Sequence, residues 1–219
     1  MNVMIDHIAA VVIGAVILFT VFALGARTNG SAVEATQVDI AKTDLRGLVD
    51  AFEQDVNNMG SGMGRPNASA SERVVQERTS SGGTETVRFF ALPNETSTVP
   101  QRVTYRWRPS GSLTLPDGTT TTPLYEVERE TGSGASLQTG TFTNVTAFDL
   151  ALRYDDLTRL RPSAYGSADS LALVRYLDVE FAMVSPAGVD SLIQETRWAK
   201  RYRPINLDPA GRRVIASPP

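Results

Sequence analysis

From Ile8 to Ala26 the chain reads IAAVVIGAVILFTVFALGA, an apolar run without a charge and with Thr20 as its one hydroxyl. As a helix rising 1.5 Å per residue the run measures about 28 Å, close to the roughly 30 Å hydrocarbon core of a bilayer. It therefore reads as a membrane span. Two other readings stay open at this stage. A buried core helix seldom runs so long without a polar face. A cleaved secretory signal ordinarily carries Lys or Arg ahead of a shorter apolar stretch, whereas Asp6 precedes this one. The flanking charges, Asp6 and His7 before the span and Arg27 after it, favour a cytoplasmic carboxy side if taken literally. Large domains, however, translocate largely regardless of flanking charge. The composition that follows, rich in Thr, Ser and Gly and poor in Lys, fits an exported β domain.

Composition removes most catalytic chemistry. In 219 residues there is no Cys, and His7, beside the apolar run, is the single His. That excludes a Cys-based zinc site, a disulfide framework, a Cys nucleophile and an ordinary Ser-His-Asp triad. A formal charge of −3 argues for neither a nucleic-acid partner nor an acidic surface. The expectation is a non-enzymatic chain with no cofactor and no metal.

After the span, Asn29-Gly30 predicts a soft joint, and Ser31 to Glu34 fits a capping box with Ser31 as N-cap. Helical periodicity then resumes. Val38, Ala41, Leu45, Leu48, Phe52, Val56 and Met59 form one apolar stripe, while charged residues, Glu53 and Asp55 among them, occupy the remainder. The helix is expected to end at Gly60, where Gly62, Gly64 and Pro66 follow as a C-cap and linker.

From Ser71 the pattern changes to short alternating segments between turn signals. Strands are predicted at Arg73–Arg78, Glu85–Leu92, Gln101–Arg108, Leu124–Arg129, Asn144–Tyr154, Leu171–Val184 and Ile193–Tyr202. Val103, Tyr105 and Trp107 share one face of their strand, and Leu177, Val179, Phe181 and Met183 one face of theirs. Gly111 to Thr122 suits a hairpin loop, Gly132 to Gly140 a mobile segment and Leu157 to Gly166 an irregular insertion. The fold class is α+β: the amphipathic helical half packs across an antiparallel sheet. Residues 1–30 form the membrane or core helix, 31–60 its amphipathic continuation, 61–203 the β-rich domain and 204–219 an extended tail.

Few residues suggest chemistry. Asp155, Asp156 and Asp169 offer oxygen ligands for Ca²⁺ but in no known loop spacing, so turn formation is the expectation. Asp178 and Glu180 share a strand face, as a pair of glycosidase acids does, but Arg175, Arg197 and Arg201 on the same or adjacent strands point to a solvated ion-pair face. Trp107 and Trp198, with Arg106, Arg108, Arg197 and Arg201 around them, form either a basic aromatic surface or, by strand alternation, buried Trp and exterior Arg. Asn67, Asn94 and Asn144 begin N-glycosylation patterns at a frequency near chance for so Thr-rich a chain.

An amino-terminal apolar helix continued by an amphipathic half on a sheet resembles the type IV pilin and type II secretion pseudopilin family. With the initiator Met removed, Asn2-Val3-Met4-Ile5-Asp6 is similar to the family's processed start Phe-Thr-Leu-Ile-Glu. Leu45 to Met59, Asn144 to Leu150 and Val174 to Phe181 resemble the helix end and sheet strands of the larger, minor subunits. No basic leader ending in Gly precedes this start and Asp6 stands where Glu is usual, which leaves a leaderless relative, a start codon placed late, or a membrane-anchored look-alike that never polymerises. The resemblance implies that Asp6 pairs with the amine of Asn2 on a neighbouring subunit while the helix packs in a filament core. The implied partners are further copies or other pilin-like subunits, the cytoplasmic membrane before assembly, and an assembly machinery. Localisation would be a single-pass inner-membrane precursor, then a pilus or periplasmic pseudopilus. The alternative is an anchored envelope domain that binds a protein or polysaccharide and never polymerises.

Overall fold

In the computed structural model, residues 2–60, 75–92, 99–114, 118–132, 138–185, 195–204 and 207 are described. The first helix, α1, spans Asn2–Asn57 without a break. At 1.5 Å per residue it is about 84 Å long. Helix ends three residues before the expected Gly60. Met59 leaves the helical ladder to bridge Ala91, and Gly60, at φ 73°, donates its N–H to the Phe90 carbonyl at 2.8 Å. Glycine adopts that left-handed backbone at no steric cost, so Gly60 joins the end of the helix to the sheet.

Seven strands follow: β1 (Val75–Ser81), β2 (Thr84–Ala91), β3 (Gln101–Thr114), β4 (Thr121–Thr131), β5 (Gln138–Arg153), β6 (Tyr176–Val184) and β7 (Glu195–Tyr202). They form a single antiparallel meander in chain order. Gly82 and Gly83, at φ 59° and 81°, make the two-residue turn between β1 and β2, where both central positions need positive φ. The expected hairpin loop at Gly111–Thr122 is mostly ladder. The β3–β4 pairing passes a register shift between Pro109 and Gly111 and continues to Thr114 opposite Thr121. Pro109 has no N–H to give, so the strand bulges there and carries on, and the Thr-rich segment suits a pleated surface. Gln138 to Gly140 likewise belong to β5; residues 133–137 of the segment expected to be mobile lie outside the described residues.

β5 serves two partners. Its first half pairs with β4 as far as Val145 opposite Tyr125, and its second half pairs with β6 from Val145 opposite Met183. Asn144 sits at the changeover with φ 58°, and both ladders shift register beside it. Asparagine tolerates this conformation better than other side chains, so one residue bends the sheet.

The predicted strand Leu171–Val184 is a correction. Leu171 lies in a short helix, α2 (Ala168–Ala172), and β6 begins at Tyr176. Ser167 caps α2 by accepting the Ser170 N–H at 3.3 Å, and Asp169 favours the first turn. This β5–β6 connection contributes Leu160, Tyr165, Leu171 and Val174 to the core, which α1 enters through Leu45, Leu48, Val49, Phe52, Val56 and Met59. The molecule is thus α+β, as its periodicities predict.

Leu157, in the same connection, has φ 65° and is 41% exposed. A left-handed conformation costs an L-residue about 1–2 kcal/mol, while glycine gives back about half of that through its looser unfolded chain. Leu157→Gly is therefore expected to stabilise the protein by up to about 1 kcal/mol, read as a rise in the urea midpoint. An unchanged or lower midpoint would show that the exposed side chain makes up for the backbone strain.

Candidate assembly helix and its clamp

The functional feature lies along α1. Residues 7–29 are all exposed, with Ile8, Val12, Phe19, Phe22 and Leu24 between 55% and 78%. The helix is long and apolar enough to cross a membrane, with none of its most apolar window buried. Thr20, the hydroxyl of that run, donates to the carbonyls of Val16 and Ile17 at 3.0 and 2.8 Å, so no side-chain donor is left facing an apolar medium. Asn2 and Asp6 stand in the first turns of α1; their side chains lie outside the described residues.

At Asn29-Gly30 the helix runs through, so the expected capping box is a correction. Ser31 does not cap a new helix. Its hydroxyl donates to the Arg27 carbonyl at 3.1 Å, one turn back in the same helix, as that of Thr28 does to Leu24. Serine within an established helix bonds the preceding turn in this way. A Cβ on Gly30 would meet nothing within 4 Å, so the glycine serves no close approach. What remains of the joint is a local helical weakness of about 1 kcal/mol relative to alanine.

The second half of α1 is held by charge as well as by apolar contact. Asp55, which periodicity groups with the solvated charges, is 2% exposed and is the second correction on this helix. It lies seven residues after Leu48 and three after Phe52, which puts it on the buried stripe. Arg129 of β4 donates to both Asp55 oxygens, Nε to Oδ2 and Nη2 to Oδ1, each at 2.7 Å. Tyr105 of β3 adds its hydroxyl at 2.6 Å. This forked geometry fixes position as well as charge. Burial first, and the Asp55 carboxylate second, push the Tyr105 phenol well above its ordinary range, so it remains a donor. The hydrogen bond to Asp55 outweighs burial and raises Arg129 further.

Across the helix, Glu53 accepts from Lys200 Nζ at 2.7 Å and from the Tyr202 hydroxyl at 2.9 Å, both on β7. Those two hydrogen bonds, Lys200 first, hold the Glu53 carboxyl below its usual range. Burial and then Glu53 raise Tyr202. The two acids reach strands on either side of the line through Phe52, whose ring meets Tyr105 and Phe181 edge-on with centroids 5.1 and 5.3 Å away. Rotation of the rod about its axis would break one clamp or the other.

The remaining candidates resolve into structure. Asp178 accepts from Arg153 and, at 2.9 Å, from Arg201 Nη2, while Glu180 meets Arg197 at 3.5 Å. Arg175 instead donates to the carbonyls of Ala172 and Val174. Trp107 is buried and Trp198 packs partly buried against Phe181, with centroids 5.3 Å apart. Arg106 and Arg108 pair with Glu128, Glu130 and Glu126 on β4. Asp156 accepts the Thr158 N–H at 2.9 Å in a turn, and Asp155 meets Arg203 at 3.9 Å. Among the described residues no group of three or more His, Asp or Glu comes together to hold a metal. Of the three glycosylation patterns, those at Asn67 and Asn94 lie outside the described residues. The hydroxyl of Thr146, in the third, donates to Glu195 at 2.7 Å.

No family model matches the chain, and no curated protein matches it. Among solved structures it is similar to the type IV-like pilin TTHA1219 from Thermus thermophilus, at 12% identity and a TM-score of 0.36, over 80% of this chain and 98% of that one. A likeness that loose bears no weight on its own.

Proposed function

We propose that the chain is a structural subunit of a type IV pilus-like or pseudopilus filament, held in the cytoplasmic membrane by the first half of α1 before assembly and displaying its β domain outward. One observation carries this reading. An uninterrupted rod is uncovered and apolar from Ile8 to Ala26, and over its second half is locked to a folded sheet by Phe52, Asp55 and Glu53. Apolar surface on that scale is unstable in water. Lipid covers it, or other rods do, and exchanging one for the other needs only a modest bias because both are apolar. The resemblance of Asn2 to Asp6 to a processed pilin start supplies that bias: an acid at the entrance of the rod pairs with the amine of the next subunit. A carboxylate carried to mid-bilayer costs about 2.5 to 3.5 kcal/mol on insertion scales, so an unpaired Asp6 resists entry into an apolar core.

Asp6→Ala is expected to leave the protein in the membrane fraction while removing it from sheared filament fractions. Equal recovery of variant and wild type in those fractions would sink the pairing. Native material that extracts only as small discrete particles, without rods, would favour the anchored envelope domain instead.

A further inference from the structure

Beyond the span, α1 carries Glu34, Asp39, Lys42, Asp44 and Arg46, yet one line along it meets no charge before Asp50. Asn29, Val33, Thr36, Ile40 and Thr43 recur at alternating steps of four and three, and the same steps carried back through Phe22 end at Ile8. That is the 3.5-residue period of a seam between two helices. Val33 is 41% and Ile40 47% exposed in the free chain. Thr36 and Thr43 turn their hydroxyls back onto the carbonyls of Ala32 and Asp39, at 2.9 and 2.8 Å, which satisfies the polar half of each side chain and leaves its methyl group for contact. The chain's own β domain stays clear of the line as far as Thr43 and first approaches it at the next step, where Phe142 of β5 lies 3.9 Å from the place of a Cβ on Gly47. At 100° per residue, the stripe of Ala41, Leu45, Leu48 and Phe52 that packs on the sheet is centred about 130° away from it around the helix.

We propose that this seam is where two copies of the chain pair, parallel and in register, along the stretch of α1 just outside the membrane. The proposal rests on the membrane-span reading, not on filament assembly. A shared membrane and a single span give both copies the same direction, and a second copy presents the same charge-free line at the same height. Val33 and Ile40 fall at the first core position of the repeat, where β-branched residues favour two strands, and Asn29, Thr36 and Thr43 fall at the other. Asp39 and Asp44 flank the seam at positions that face each other between copies, so the pair carries a repulsion that keeps it reversible.

The chain has no cysteine, so single cysteines report contacts directly. The full-length protein in native membranes is oxidised after Val33→Cys or Ile40→Cys, with Ala35→Cys and Lys42→Cys, which are exposed and off the seam, as controls. The expected result is a shift from monomer to disulfide dimer for the two seam variants and not for the controls. Adding Asp39→Lys to Val33→Cys is expected to increase the dimer by turning the repulsion into attraction. Dimer at all four positions, dimer at none, or stronger linkage between co-expressed Val33→Cys and Ile40→Cys chains than within either would overturn the in-register pair. Filaments that form without the link leave the filament reading standing and remove the pair. A link without filaments does the reverse.

Discussion

Phe52→Ala is expected to destabilise the β domain by about 3–5 kcal/mol, the range for deleting a fully buried aromatic ring. Phe52 is 0% exposed and lies among Tyr105, Phe181 and Tyr202, with ring centroids 5.1, 5.3 and 6.1 Å away. These partners come from β3 and from the paired strands β6 and β7, which β4 and β5 separate from β3, so the ring helps to join the two parts of the sheet on the core face. Removing it leaves a cavity at the point where helix and sheet meet, and α1 cannot settle into the space without breaking the Asp55 or Glu53 contacts. Urea unfolding of the detergent-solubilised chain, followed by tryptophan fluorescence from Trp107 and Trp198, gives the number. A loss below about 1 kcal/mol would mean that the core collapses freely into the cavity and that the helix is not seated as described.

Asp55→Ala is expected to cost about 3 kcal/mol, at the lower end for removing one member of a buried pair, because the Arg129 side chain keeps 21% of its exposure and recovers some hydration. The same change strands the Tyr105 hydroxyl, whose residue is 0% exposed. The double change Asp55→Leu with Arg129→Met, made in a Tyr105→Phe background so that no buried hydroxyl is stranded, is expected to restore most of the stability, since apolar side chains of similar volume replace such pairs at little cost. The clamp would then be a device for orientation more than for stability. Its loss in the double variant is expected to impair filament recovery even where unfolding midpoints return to wild type. If the single and double variants were equally unstable, the cost would lie in packing around Asp55 and not in the stranded charge.

The sequence by itself determined the two periodicities and the class they imply. A run from Ile8 to Ala26 without charge permits few environments, and alternation in β3 and β6 announces a sheet with one buried face. These are local properties, since each depends on residues within one element. From sequence alone Asp55 is misread as a solvated charge, although its spacing from Leu48 and Phe52 sets it on the buried stripe, because a carboxylate there makes sense only once Arg129, 74 residues later, is known to meet it. The continuity of α1 through Gly30 is carried by the helix's own hydrogen-bond ladder, since nothing packs on that glycine; the sharing of β5 between β4 and β6 at Asn144 and the capped α2 where alternation had suggested strand were decided by tertiary structure. In each case the local preference is worth about 1 kcal/mol, and packing or ladder hydrogen bonds elsewhere in the chain outweigh it.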